Sequence, residues 1–457
     1  MASLKNFNVI TVKDEERIHQ KDMHPSSNSI KAQDSTFLNT TLVGNIVRNV
    51  FKVLFYVHLL LISLLVISLI IYGLIFSSHN HNFQPMKFYP PLITSIACAG
   101  VLGFIWQWFT FKNTKNAIKV AFWISPLLTC SMAIMFVYIE SPISLAIGVI
   151  ALISSLIQSL YGCWVNHRFE YAKNILSTSI VDPPLKIMRF TFSTIFIGMF
   201  YCFFLVLGIG GARSIENKTK FTSFFILVIL MSLIWTMQIL KNVIQVTISR
   251  IKYMNLGNGI IMDTSIALHD TIKYLIGSVS IGSILVPIIS TFRGFARSTK
   301  LVGGDIDEFM FSCVSCYMGI ASILVSCGNR WGFVHVGVYN KGFVQASKDT
   351  WDIFNRVGLE QLIDLDLTGS FCFLSGVGGG AVCSLVSGIW SIVLHRNYAT
   401  QLAIYAFLIG YFMVRLAMAW PQACVSAYYV AYAENPQSTH FDSTIPIRLE
   451  QLQRSQI

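Results

Sequence analysis

Charge is scarce in this chain. Only 12% of its 457 residues are Asp, Glu, Lys or Arg, against 54% hydrophobic residues and a mean hydropathy of +0.61. A water-soluble domain is usually about a quarter charged, so the bulk of this chain is not a soluble enzyme or binding module. Catalytic signatures are missing too. No Gly-x-Ser-x-Gly, His-Glu-x-x-His, phosphate-binding loop or His-Arg-Asp run occurs, and His269-Asp270 has no nucleophile beside it. The lack of a phosphate loop argues against an ATP-driven pump, and we expect no enzyme, cofactor or metal site. None of the ten cysteines falls in a clear exterior loop, so no disulfide framework is indicated. Cys313-x-x-Cys316 has a redox or zinc spacing but sits in an apolar run, where small helix residues are the plainer reading. The first apolar run begins only near residue 50, so no cleavable signal peptide is expected.

Long apolar runs are what the chain has instead. Residues 53–76 read VLFYVHLLLISLLVISLIIYGLIF, with no formal charge and one histidine. Roughly 20 helical residues cross the ~30 Å hydrocarbon core of a bilayer. Runs of this kind recur at 50–76, 90–111, 117–139, 142–165, 187–210, 221–249, 270–292, 306–327, 365–394 and 401–432. In lipid only helices and closed barrels satisfy their own backbone, so the fold class is all-α, a polytopic integral membrane protein of about ten spans. Ser141-Pro142 joins spans three and four so tightly that they must be antiparallel neighbours. Residues 1–45 read as a disordered cytosolic tail, 46–433 as the membrane domain and 434–457 as a second cytosolic tail. Residues 328–364 are too polar to span. They read as an interfacial segment, with Trp331, Phe333, Phe343 and Trp351 at headgroup level.

The net charge of +11 orients the chain rather than pointing to nucleic acid. With the N-terminus inside, the inner loops hold thirteen Lys and Arg and the outer loops eight. Asn217-Lys218-Thr219, a glycosylation acceptor, then falls outside, and both termini are cytosolic. The Arg293, Arg297, Lys300 cluster sits badly outside, so the span near 270–292 is either re-entrant or places those charges on headgroups or a substrate path.

Candidate path residues follow from what lipid makes costly. Glu140 closes span three, and Asp364 and Asp366 open span nine. His58, Lys241 and Arg415 lie within spans, and Asp305, Asp307 and Glu308 cluster at the start of span eight. Arg415 needs an acidic partner such as Asp366 or Glu140. Gly376, Gly380, Ser384 and Gly388 recur at every fourth position, a smooth stripe for a neighbouring helix. Pro287 should kink span seven, and kinked helices often line transport sites. Trp106, Trp235 and Trp390 offer aromatic faces at various depths. A quaternary ammonium group cannot donate a hydrogen bond and is held by such faces with a negative charge nearby. Packing explains the glycines and the proline equally well, and helix-end or ion-pair roles explain the acids.

Three stretches carry a family resemblance. They are Asn329-Arg330-Trp331-Gly332-Phe333 running on to Trp351, then Ile363-Asp364-Leu365-Asp366-Leu367-Thr368-Gly369 feeding a glycine-rich helix, and Tyr428-Tyr429-Val430-Ala431-Tyr432-Ala433-Glu434-Asn435-Pro436. With the span layout, they make the chain resemble the choline-transporter-like family, on its fungal and plant side, over about residues 45–440. Gly332 and Gly337 stand where that family more often has Ala, Asn340 stands where Gly is usual, and the loop 77–89 is short. The resemblance implies ten spans with both ends cytosolic, and transport of choline or a similar organic cation without ATP hydrolysis, by facilitation or exchange. The implied partners are the bilayer and a cationic small molecule. The plasma membrane is the expected site, with a Golgi or endosomal membrane as the alternative. The competing reading is a membrane scaffold or trafficking protein that acts indirectly on choline or lipid distribution.

Overall fold

The structure, a computed structural model, describes residues 27–76, 85–180, 185–214, 220–302, 324, 326–438 and 441–454. Contacts divide the chain into a short N-terminal unit, Met1–Asn49, and a body, Val50–Ile457. In the N-terminal unit the described backbone is helical, since helix α1 runs Ser27–Phe76 and so begins within the stretch read as a disordered tail.

The body is built from helices, with no strand among the described residues. α2 (Pro85–Lys112), α3 (Thr114–Ile139), α4 (Pro142–Trp164) and the short α5 (Phe169–Ile180) are followed by α6 (Leu185–Arg213) and α7 (Lys220–Asn258). Then come α8 (Thr264–Asp270), a π-helical turn (Thr271–Leu275) and α9 (Ile276–Val302). α10 (Gly332–Tyr339), α11 (Phe343–Val357) and α12 (Glu360–Asp364) are short. α13 (Thr368–Ala417), α14 (Ala419–Glu434) and α15 (Thr444–Arg454) complete the chain. Among the described residues, nine stretches are long and apolar enough to cross a membrane. The expected span 306–327 lies almost wholly outside the described residues.

Polar joints fix the helix pairs. Ser141 caps α4 reciprocally with Ser144, and Pro142 occupies the first turn, where its missing N–H costs nothing. Ser155 Oγ donates to the Pro126 carbonyl at 2.8 Å and Ser125 Oγ to Gln158 Oε1 at 2.9 Å, so α3 and α4 run antiparallel as the tight joint requires. The outer faces stay apolar: Leu60, Leu61 and Leu74 on α1 and Ile143, Leu156 and Leu160 on α4 are exposed, the surface that lipid tails solvate.

α13 doubles back on itself. A Cβ on Gly376 would meet Arg415 and Tyr411, one on Gly380 would meet Phe407, and one on Gly388 would approach Ala403. The paired positions close on one another toward residue 395, so the two arms are antiparallel and the glycine stripe is their seam.

Three expectations are corrected. Residues 401–432 are not one span: the second arm of α13 ends at Ala417, the chain turns at Met418, and α14 starts afresh with Pro421 in its first turn. Residues 419–433 of α14 are all buried, which makes it an enclosed helix rather than the end of a lipid-facing one. Trp331, Phe333, Phe343 and Trp351 do not lie against lipid. They are buried within the protein, in the layer where α10 and α11 pack against α7, α9 and α14. The C-terminal stretch is not a free tail, because Asp442 receives hydrogen bonds from Tyr428 and Thr178, and Ile445 is fully buried.

Candidate functional site

The three stretches that carry the family resemblance meet at one end of the bundle. Asn329 ties α10 to α11: its Oδ1 accepts from the Gly332 N–H at 2.9 Å and its Nδ2 donates to the Ser347 carbonyl at 2.9 Å. Gly332 rests on Ser347 so closely that a Cβ would fall 2.8 Å from the Ser347 Cα. Arg330, stacked over Trp331 at 4.6 Å, donates to Asp366 Oδ2. The other oxygen of Asp366 accepts from the Thr368 N–H and hydroxyl, so both oxygens of this fully buried carboxylate are engaged. Gln245 on α7 donates to the Arg330 carbonyl at 3.2 Å.

A second knot is centred on Glu434, at the end of α14. His335 Nε2 faces Glu434 Oε1 at 2.7 Å, while Tyr339 and Tyr253 donate to Oε2. The other nitrogen of His335 lies 3.0 Å from the Thr350 hydroxyl, which donates its own proton to the Ala346 carbonyl at 2.7 Å. Burial pushes the Glu434 carboxyl up, but the hydrogen bonds from His335, Tyr253 and Tyr339 outweigh it and hold the group below the usual carboxylate range. α7, α10, α11 and α14 are thereby pinned at one point.

A third cluster lies within the helices. His58 Nε2 is 2.9 Å from Ser232 Oγ, Tyr201 OH reaches Ser232 Oγ at 2.7 Å and Thr236 Oγ1 at 3.0 Å, and the ring of His58 lies 4.7 Å from Trp235. Phe55 meets Trp235 edge-on at 6.0 Å. Sequence reading named His58 and Trp235 but not their meeting. No local signal marks Ser232 and Tyr201 as its other members.

The remaining candidates scatter. Glu140 is the left-handed C-cap of α3 (φ 64°) and pairs with Arg396 at 2.9 Å, at the end of the bundle opposite Glu434. Arg396 also donates to the Tyr138 and Ile139 carbonyls. Arg415 pairs with neither Asp366 nor Glu140; its stem crosses Gly376 instead. Trp106 on α2 packs on Phe109 at 5.5 Å with its buried N–H unpartnered, and Trp390 is exposed on the first arm of α13. Gly376 and Gly380 form the α13 seam, and Pro287 lies inside α9, where Thr291 bonds its carbonyl. The side chain of Asp364 and all of Asn217, Asp305, Asp307, Glu308, Cys313 and Cys316 lie outside the described residues. No group of His, Cys, Asp and Glu that could hold a metal ion occurs among the described residues.

Residues 123–437 match the family described as plasma-membrane choline transporter. The chain is 27% identical to the protein pns1 of Aspergillus fumigatus over 219 residues, 44% of this chain and 41% of that protein. It is 26% identical to PNS1 of Gibberella zeae over 216 residues, 44% and 40% of the two chains. A CTL-like protein of Dictyostelium discoideum matches at 23% over 351 residues, 73% of this chain and 61% of its own. The alignments thus span two fifths to three fifths of these relatives.

Proposed function

The chain belongs to the plasma-membrane choline transporter family, and on that premise we propose that it carries choline or a similar organic cation across a membrane, by facilitation or exchange and without ATP hydrolysis. Support comes from one observation above the rest: the family match runs through all three stretches that converge on Arg330, Asp366 and Glu434. Those carboxylates are already engaged, so Asp366 is not free to meet a substrate charge. Recognition of a quaternary ammonium is assigned instead to aromatic faces, and the Phe55, His58, Trp235 and Tyr201 cluster supplies them between α1, α6 and α7. A polar tie stands at each end of the bundle, Glu434 with His335 at one and Glu140 with Arg396 at the other. Opening them in turn would expose the aromatic cluster to one side and then the other.

Both termini and the Glu434 end are assigned to the cytosol, a reading the charge bias supports, and the plasma membrane is the assigned location, with Golgi or endosomal membranes as the alternative. Flux of labelled choline, ethanolamine and a neutral control into vesicles containing the purified protein is the deciding measurement. Saturable movement of the amines alone is the expected result. A folded protein that moves none of them would turn the assignment to a scaffold acting indirectly on choline or lipid distribution.

A further inference from the structure

Three basic residues gather where α7 meets α13, and one of them, Arg330, pairs with a carboxylate, Asp366. Arg330 lies across Gly369, and Arg415 lies across Gly376, where a Cβ would sit 2.7 Å from its Cγ. Gly369, Cys372 and Gly376 follow one another along one face of α13, so the two arginines cross that face roughly 10 Å apart, seven residues at 1.5 Å rise. Lys241 completes the triangle. One turn beyond it on α7, Gln245 holds the Arg330 carbonyl at 3.2 Å. One turn before it, Met237 meets the same glycine, Gly198, as Met413 and Leu416 do. Lys241 is therefore buried on α7 between a turn that holds Arg330 and a turn that packs beside the Arg415 end of α13. The Cys372 thiol, on the same face of α13, donates to the Met418 carbonyl at 3.5 Å.

The balance does not close. Asp366 spends one oxygen on Arg330 and the other on Thr368. Among the described residues, neither Lys241 nor Arg415 has a hydrogen bond or ion pair, and the buried Nε of Arg330 has no acceptor. A buried ammonium without a counter-charge is strongly unfavourable, so Lys241 either sheds its proton or meets a negative group, and the two arginines beside it favour the second. Guanidinium groups with a lysine beside them are the side-chain chemistry that selects oxyanions.

We propose that Lys241, Arg330 and Arg415 form a binding site for an oxyanion group, a carboxylate or phosphate, at the meeting of α7 and α13. The group belongs either to a zwitterionic quaternary amine or to a free anion that accompanies the cation; only this link to an amine rests on the transport reading.

Calorimetric titration of the full-length protein in lipid nanodiscs tests this, at constant ionic strength, with phosphorylcholine, trimethylglycine, inorganic phosphate and choline chloride. Binding of at least one oxyanion is expected, with affinity falling tenfold or more in Lys241→Met. Zwitterions binding where phosphate does not assigns the anion to the amine; phosphate binding alone assigns a free anion. Arg415→Gln, at a half-buried position, serves as the second variant should Lys241→Met fail to fold. No oxyanion binding to folded wild type, or anion affinity unchanged in a folded variant, overturns the proposal. Vesicle flux separates the two readings: choline flux without anion binding removes this site alone, and anion binding without amine flux removes the transport assignment alone.

Discussion

At the scale of single residues, position outranks residue type. The family resemblance implies Ala at the position of Gly332, yet here a methyl would press on the Ser347 backbone. Gly332→Ala should therefore destabilise this protein by about 1–3 kcal/mol despite restoring the commoner residue, read as a lower unfolding midpoint in nanodiscs. Asp366 reads from sequence as a charge for the substrate, whereas in the fold it neutralises Arg330. Asp366→Asn should cost about 3–5 kcal/mol, the toll of a buried charge left alone, and the double change Arg330→Met with Asp366→Leu should recover most of it. A double variant as unstable as the single one would show that the pair is not coupled. Glu434 sets a pH limit. Its folded-state pKa is depressed relative to the unfolded value of about 4.3, so its contribution is present above that value and is lost as pH falls through the lower, folded one. Stability should drop in the acid range below about pH 4.3, with a shallower drop in Glu434→Gln.

At the scale of elements, the helices are held by polar joints at their ends and by small residues along their seams. The π-helical turn at Thr271–Leu275 breaks the regular ladder ahead of α9, and Lys52 Nζ takes the Lys273 carbonyl at 2.7 Å. One distortion of this span thus lies well before Pro287. α15 is clamped by Asp442, which accepts from Thr178, Tyr428 and Thr444, while Arg448 lies over Tyr171 at 5.7 Å. Asp442→Ala should release the helix, with hydrogen exchange rising in residues 441–454 and little change along α13. Uniform exchange across the chain would mean that the clamp supports the whole fold instead.

At the scale of the molecule, the two ends differ in how firmly they are tied. The Glu434 end is a partly buried network joining four helices, whereas the Glu140–Arg396 pair is exposed. Exposed pairs contribute at most about 1 kcal/mol, so Arg396→Gln should barely alter the unfolding midpoint. If that tie closes one side of a path, the same change should alter the rate of amine flux in vesicles. Unchanged flux with unchanged stability would remove the tie from the transport cycle.

Apolar runs determined the class of this protein and most of its spans, because a bilayer leaves a long uncharged segment no other low-energy state, and the short Ser141-Pro142 joint determined the α3–α4 pairing. The glycine spacing of α13 likewise announced a close helix contact before its partner was known. Tertiary structure decided the rest. Span length says nothing of which segments are wrapped by others, so α14 and the aromatics of residues 331–351 read as membrane-facing until their neighbours covered them. A charge shows its type in the chain but not its partner. Only the fold could give Asp366 to Arg330 and Glu434 to His335, and leave Lys241 and Arg415 without an ion-pair partner among the described residues.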